Sequence, residues 1–468
     1  MTDTATSAQE ITDELVGDLW DPAEPDRDRP RISVIGTGYL GATHAAAMAA
    51  LGFTTVGYDT DTAKVEALSL GKVPFFEPGL DELLTEQVES GRLRFTSDIA
   101  DAVASSDIHF VCVGTPQQLT SHAANLSYVE AAVTAIVENL TGDALIVGKS
   151  TVPVGTAARL RELIADRIEP GRSAELVWNP EFLREGKAVN DTLHPDRVVI
   201  GGASPAAERL LRTVYATPIS EGTPVVTCDL PTAELVKVSA NAFLATKISF
   251  INAIAGVCEA AGADVTVLAD ALGHDSRIGR QFLDAGLGFG GGCLPKDIRA
   301  LMHRAGELGA HPAARLLQQV DEINMGQRER VIQLALEACG GSVLNRRVGV
   351  LGAAFKPDTD DVRDSPALNV AAALHLRGAQ VTVFDPEAAD TARRTFPTLG
   401  YASSVEEAVE GTDVVLLLTE WPQFVNGDAE ALARRTKVPY LIDARGKLDA
   451  ARWRAGGWTF RGLGRPAA

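Results

Sequence analysis

Between Gly286 and Arg299 the chain reads GLGFGGGCLPKDIR, and this stretch holds its most reactive chemistry. One thiol, Cys293, follows a run of glycines and precedes Pro295, Lys296 and Asp297. Glycines let a backbone approach a ligand closely, and a proline in the first turn of a helix lacks a donor that would otherwise go unpaired. The cysteine is therefore expected at the mouth of a helix. Amide dipoles there favour an anion, so the thiol pKa should fall from its reference of about 8.5 and the nucleophilic thiolate should be more populated. An isolated cysteine is more often a small buried hydrophobe, so the reaction has to be read from its companions. Lys237 and Asn241 are four apart in a helical stretch and share a face. Both could point at a substrate oxygen, although that spacing also suits a solvated stripe.

Three kinds of element must position these groups. Arg31–Ile35 reads as a short apolar strand that runs into GTGYLGATHAAAMAALG, where Gly36, Gly38 and Gly41 fit G-x-G-x-x-G. A second strand, Thr54–Tyr58, ends at Asp59, at about the 20-residue spacing of a dinucleotide site. The glycines allow the tight turn and close pyrophosphate approach, and the pyrophosphate meets the helix N-terminus. Asp59 would accept from the ribose hydroxyls. No arginine follows it, which favours NAD over NADP. Further βα units follow: His109–Val113 into Gly114-Thr115-Pro116, Leu145–Gly148 into KSTVPVG, and Leu176–Trp178 into NPEFLREG. Loops after parallel strands gather where ligands bind. From about Pro231 long helices take over, Ala233–Ala261 and Pro312 to about Cys339. Near Arg347 strands return, Val348–Gly352, Val381–Phe384 ending at Asp385, Asp413–Thr419 and Tyr440–Asp443, with a helix over Ser365–Leu376. The expected fold class is α/β: two Rossmann-like doubly wound domains joined by a mainly helical middle domain. The expected boundaries are a disordered acidic tail at 1–30, an NAD-binding domain at 31–225, a mainly helical middle domain at 226–340 and a nucleotide-binding domain at 341–468.

Composition removes other classes. The 468 residues exceed one ordinary core. A formal charge of −19 argues against nucleic acid, whose phosphates need a basic surface. Residues 1–30 contribute nine acidic and two basic side chains to it. The five cysteines are scattered without C-x-x-C spacing and the eight histidines without H-E-x-x-H, so no metal site is expected. No apolar run reaches the roughly 18 residues of a membrane span, and the N-terminus lacks a basic-then-apolar signal pattern. A cytoplasmic protein without membrane contact is expected.

Taken together, IGTGYLG, Gly114-Thr115-Pro116, KSTVPVGT, NPEFLREG, ELVKVSANAFLATKISFIN, SRIGRQFL, GFGGGCLPKD, FKPDTDDVRDSPA and DARG resemble the UDP-glucose 6-dehydrogenase family, from about Arg31 to Arg445. The resemblance implies oxidation of a sugar C6 alcohol to a carboxylate by two NAD in succession. It assigns the nucleophile to Cys293, oxyanion stabilisation to Lys237 and Asn241, and the hydrolytic water to Asp297 and Glu181 with help from Thr151. It implies cofactor contacts from Gly36, Gly38, Tyr39, Leu40, Gly41, Asp59, Lys64, Thr115, Thr151, Glu185 and Arg363. It implies UDP-glucose contacts from Glu181, Phe182, Leu183, Lys237, Asn241, Phe282, Phe289, Gly290, Phe355, Lys356 and Arg445, and from Arg277 as a neighbouring subunit's residue in a homodimer or larger assembly.

Two places depart from the family pattern. Gln117–Leu126 lacks the acidic, glycine-containing loop common among bacterial members, and Asp284 stands where many relatives carry Lys or Asn. The alternatives are a GDP-mannose 6-dehydrogenase with the same chemistry, which shares the glycine-cysteine-LPKD stretch, and a non-catalytic NAD- and nucleotide-sugar-binding protein.

Overall fold

The structure, a computed structural model, describes residues 29–118 and 121–466, so the acidic tail lies almost wholly outside the described residues. The chain forms two compact units divided at Ser239 and Ala240.

The first unit carries eight strands: β1 (Ile32–Ile35), β2 (Thr55–Tyr58), β3 (Leu93–Thr96), β4 (Ile108–Val111), β5 (Ala144–Gly148), β6 (Ala174–Trp178), β7 (Val198–Gly201) and β8 (Val225–Cys228). Their order is β3-β2-β1-β4-β5-β6-β7-β8. The first six follow the dinucleotide-binding order and are parallel throughout. The seventh joins β6 antiparallel through Trp178 and Gly201, and β8 then runs parallel to it. Alternate residues feed two cores, as a sheet covered on both faces requires. Ile32, Val34, Phe110, Leu145 and Val147 enter one, and Ile35, Val111, Ile146 and Trp178 the other. Burying each such side chain stabilises the fold by about 1.5–3 kcal/mol. The sheet continues to Cys228, three residues past the expected boundary at 225.

The second unit begins inside the helix Leu230–Ala261 and includes the helices Val265–Gly273, Leu294–Glu307 and His311–Ala338. Ala242, Ala245, Phe289, Ile298, Leu317 and Val320 form one core among them. Beyond them lie β9 (Arg347–Leu351), β10 (Gln380–Phe384), β11 (Gly400–Tyr401), β12 (Val414–Leu417), β13 (Tyr440–Asp443) and β14 (Thr459–Gly462). Their order, β11-β10-β9-β12-β13-β14, repeats the first topology with every pair parallel. The α/β class with two Rossmann-like sheets is present.

By length and composition alone, helix Leu230–Ala261 is apolar enough to cross a membrane, a composition that core helices of globular proteins share, and 44% of its most apolar window is buried inside the protein.

Candidate active site

In the first unit, the turn after β1 is built for a close ligand. Gly36 adopts φ 91°, and a Cβ on Gly41 would lie 1.7 Å from the Gly36 carbonyl oxygen, so both positions exclude a side chain. Gly38 begins the helix Tyr39–Ala50 without a side-chain cap, and the space where its own side chain would stand is open. Uncapped N–H groups beside open space suit a pyrophosphate. Asp59, at the end of β2, accepts from Thr37 N (2.9 Å), Thr37 Oγ1 (3.1 Å), Asp61 N (3.1 Å) and Lys64 Nζ (2.9 Å). Burial pushes its pKa up, but Lys64 and the Asp61 and Thr37 amides more than offset this and hold it below the usual carboxylate value. Lys64 thus fixes the acid. The Tyr39 ring lies 4.0 Å from that of Phe75. These residues fit a dinucleotide.

The loops after β4, β5 and β6 are tied together. Thr115 Oγ1 donates to Thr151 O (2.7 Å), and Ser150 Oγ to Val113 O (2.7 Å). Glu181 accepts from Leu183 N (2.6 Å) and pairs with Lys237 Nζ at 3.1 Å. The Phe182 ring lies beside Lys237 Nζ, at 5.5 Å, and under the Arg197 guanidinium, at 3.7 Å. Leu40, Glu181, Phe182 and Leu183 line a cavity of about 50 Å³. Glu185 is buried, and the loop beyond it is pinned by Glu77, which accepts from Gly186 N and Ala188 N (2.7 Å each). Glu234 does the same for Gly155 N and Ala157 N, again at 2.7 Å each. Each of these carboxylates sits at a helix N-terminus, where the dipole favours it.

In the second unit, Cys293 is exposed at the N-terminus of the helix Leu294–Glu307, which has no side-chain cap and carries Pro295 in its first turn. Asp297, one turn on, is 2% exposed and accepts from Asn241 Nδ2 (2.7 Å) and Lys296 Nζ (2.6 Å). Asn241 follows Lys237 by one helical turn, yet each contacts its own carboxylate. The glycines before the thiol are places of close approach. A Cβ on Gly290 would meet Asp364 O at 2.4 Å, on Gly291 the Phe355 ring at 2.8 Å, and on Gly292 the Arg363 guanidinium carbon at 2.3 Å. Asn324 accepts from Phe289 N (2.8 Å) and donates to Phe289 O (3.0 Å), fixing the loop from the other side.

The second unit also holds the other expected residues. Arg363 pairs with Asp361 at 2.7 Å, and its carbonyl accepts from Gly291 N (2.9 Å). Lys356 Nζ lies 5.5 Å from the Phe355 ring centroid. Phe282 holds φ 63°, a left-handed conformation uncommon for a bulky residue. Arg445 donates to Leu418 O (2.7 Å), Gly288 O (3.0 Å) and Phe355 O (2.9 Å). Three of its five N–H groups thereby knit loops together, and Glu420 Oε2 lies 3.3 Å from its Nε. Arg277 points into solvent beside Asp275 (2.6 Å). Asp284 pairs with Lys447 and Arg280, each at 2.8 Å. In the divergent loop, Gln117 bridges to Ala124.

Sequence reasoning missed Glu77, Glu234, Asn324 and the buried cluster Lys149, Asn179 and Tyr215. All act through partners distant in the chain. The nearest signal was the position of Lys149 and Asn179 at the ends of strands leading into KSTVPVG and NPEFLREG.

Comparison with known proteins agrees with this architecture. Residues 30–219 match the NAD binding domain of the UDP-glucose/GDP-mannose dehydrogenase family, 231–326 its central domain and 349–450 its UDP binding domain. The chain is 43% identical to UDP-glucose 6-dehydrogenase TuaD of Bacillus subtilis, over 93% of this chain and 94% of that one. It is 41% identical to UDP-glucose 6-dehydrogenase of Rhizobium meliloti, over 93% and 100%. A solved UDP-glucose dehydrogenase from the hyperthermophilic archaeon Pyrobaculum islandicum superposes with a TM-score of 0.87 at 37% identity, covering 94% of this chain and 99% of that one. The cradle after β1, the second Rossmann-like sheet and these matches together place the chain in the UDP-glucose/GDP-mannose dehydrogenase family.

Proposed function

We propose that the protein oxidises carbon 6 of UDP-glucose to the carboxylate of UDP-glucuronate, using two NAD per sugar, with Cys293 holding the carbon between the two oxidations. The setting of the thiol carries this reading: Cys293 is exposed at an uncapped helix mouth, one turn before a buried Asp297 held by Asn241 and Lys296. Bound NAD supplies the hydride acceptor, and the turn after β1 with Asp59 fits it.

An aldehyde has no second hydride to give until a nucleophile adds to it. The Cys293 thiolate adds, forming a C–S bond and placing negative charge on the former carbonyl oxygen. Lys237 and Asn241 stabilise that oxyanion. Loss of the second hydride leaves a thioester. Thr151, Glu181 and Asp297 hold the water that attacks it. Its oxygen bonds to carbon 6 while its proton passes to Asp297, the C–S bond breaks, and Cys293 Sγ keeps the electron pair. Contacts to the sugar nucleotide are assigned to Phe182, Leu183, Phe282, Phe289, Gly290, Phe355, Lys356 and Arg445. Tyr39, Leu40, Lys64, Thr115, Glu185 and Arg363 serve the cofactor.

The assay is stoichiometric. Purified protein with UDP-glucose and NAD should yield two NADH per UDP-glucuronate. No NADH, or one per sugar with aldehyde accumulating, would refute the reading. GDP-mannose, UDP-N-acetyl sugars and NADP in the same assay test the base, sugar and cofactor assignments.

The functional segments are proposed as 31–225, 226–340 and 341–468, in a cytoplasmic homodimer. Phe243, Phe250 and Val257 are spaced by seven on the long helix and are 67%, 49% and 61% exposed, an apolar stripe suited to a second copy. Sedimentation should give a dimer or larger, and Phe243→Glu with Phe250→Glu should shift it toward monomer.

A further inference from the structure

Lys149 is 6% exposed, and no carboxylate lies within ion-pair distance of it among the described residues. Its ammonium donates to Asn179 Oδ1 (2.9 Å), Asn179 O (3.3 Å) and Tyr215 Oη (3.2 Å). Tyr215 Oη donates to Asn179 Oδ1 (2.6 Å), and Asn179 Nδ2 to Val199 O (2.8 Å). The Phe110 and Tyr215 rings lie 5.9 and 5.7 Å away. All three ammonium protons are used, so the network is fully satisfied.

A buried charge without a countercharge is an expensive way to fill space, and an apolar side chain of that length would fill it more cheaply. What the ammonium adds is geometry. Lys149 immediately follows β5 and Asn179 immediately follows β6, and the strand ends are also joined through the backbone, Asn179 N donating to Gly148 O (2.8 Å). Thr151 stands two residues beyond Lys149, and Glu181 two beyond Asn179 with only Pro180 between. Lys149, Asn179 and Tyr215 line the same small cavity as Glu181.

We infer that Lys149 is a positioning residue: through Asn179 and Tyr215 it fixes the spacing between Thr151 and Glu181, and thereby the water that hydrolyses the Cys293 thioester. This rests on the proposed function. It predicts a selective defect in which hydrolysis slows while the steps that form the thioester do not. Misplacing a catalytic group by about 1 Å can cost on the order of 10²-fold in rate.

The test compares parent, Lys149→Met and Tyr215→Phe proteins by rapid mixing with UDP-glucose and excess NAD, and by NADH binding. The expected result for Lys149→Met is a burst of two NADH per site, a steady rate lowered by about 10- to 100-fold, and NADH affinity within twofold of the parent. Tyr215→Phe, which removes one hydroxyl, should show the same pattern more weakly. An unchanged steady rate in both variants overturns the inference. So does a burst that shrinks in step with the steady rate, because that marks general loss of structure. Should Lys149→Met fail to fold, Tyr215→Phe decides. A parent enzyme that does not release two NADH per sugar instead refutes the underlying reading.

Discussion

Replacing Asp297 by Asn removes one negative charge at the proposed water site while keeping the side chain's shape. The carboxylate is buried and serves two donors, Asn241 Nδ2 at 2.7 Å and Lys296 Nζ at 2.6 Å. An amide has one oxygen, so one donor loses its acceptor. Orphaning a buried donor costs about 1–3 kcal/mol. A domain with about 5–15 kcal/mol of stability remains almost wholly folded after that loss. The kinetic effect is larger: removing a general base costs about 10²–10⁴-fold, which at 1.36 kcal/mol per decade is about 3–5 kcal/mol of barrier. Unfolding therefore cannot imitate the rate effect. In rapid mixing with UDP-glucose and NAD, Asp297→Asn should release two NADH per site in a burst and then nearly stop. A steady rate near the parent's would refute the assignment. Absence of any burst in a folded, NADH-binding variant would show that Asp297 acts before hydrolysis.

Asp59→Ala should raise the NAD concentration needed for half-maximal rate by about tenfold or more, a loss of about 1.4 kcal/mol or more for its ribose contacts, with little change for UDP-glucose. An unchanged NAD requirement would contradict the ribose assignment. His109, buried in β4 with Ser33 Oγ 2.7 Å from its Nδ1, has its pKa pushed down to about 4 by burial, the Arg31 charge adding to this and Asp107 opposing it. The unfolded chain protonates near pH 6.5, so above that pH the residue is neutral in both states. Between about pH 6.5 and 4 the unfolded state takes up a proton that the folded state refuses. Stability should fall across that window by about 3 kcal/mol, since one proton bound only by the unfolded chain is worth about 1.36 kcal/mol for each pH step of one. Urea titrations of parent and His109→Gln across this range should show a shallower decline in the variant. Equal declines would exclude His109 as the cause.

The residues that announce the fold in sequence are those whose structural demands are local. G-x-G-x-x-G needs only one turn and the start of one helix, so Gly36, Gly41 and Asp59 were legible with their spacing. The helix mouth at Cys293 was legible for the same reason, since a single helical turn spans it and Asp297. Short and edge elements were not. β3 reads LRFT with an exposed Arg94, and β11 has two residues, too few to show a period. β7 joins antiparallel, which no local pattern announces. The supports of the loops were the least legible. Glu77 caps a helix more than a hundred residues later, and Asn324 holds Phe289 from a neighbouring helix. Arg445 looks from sequence like an available cation, yet three carbonyl oxygens occupy part of its guanidinium. Each such pairing lies within one unit and depends on which loops the folding of that unit gathers.

In the proposed reaction the Cys293 sulfur carries the half-oxidised sugar. Enzyme mixed with UDP-glucose and NAD, quenched in acid during turnover and digested, can be weighed peptide by peptide. The peptide containing Cys293 should carry the sugar nucleotide as a thioester, the adduct should grow in Asp297→Asn, and Cys293→Ser should not complete the oxidation. UDP-glucuronate formed at the parent rate by Cys293→Ser, with that peptide unmodified at every time in the parent, would contradict that reaction.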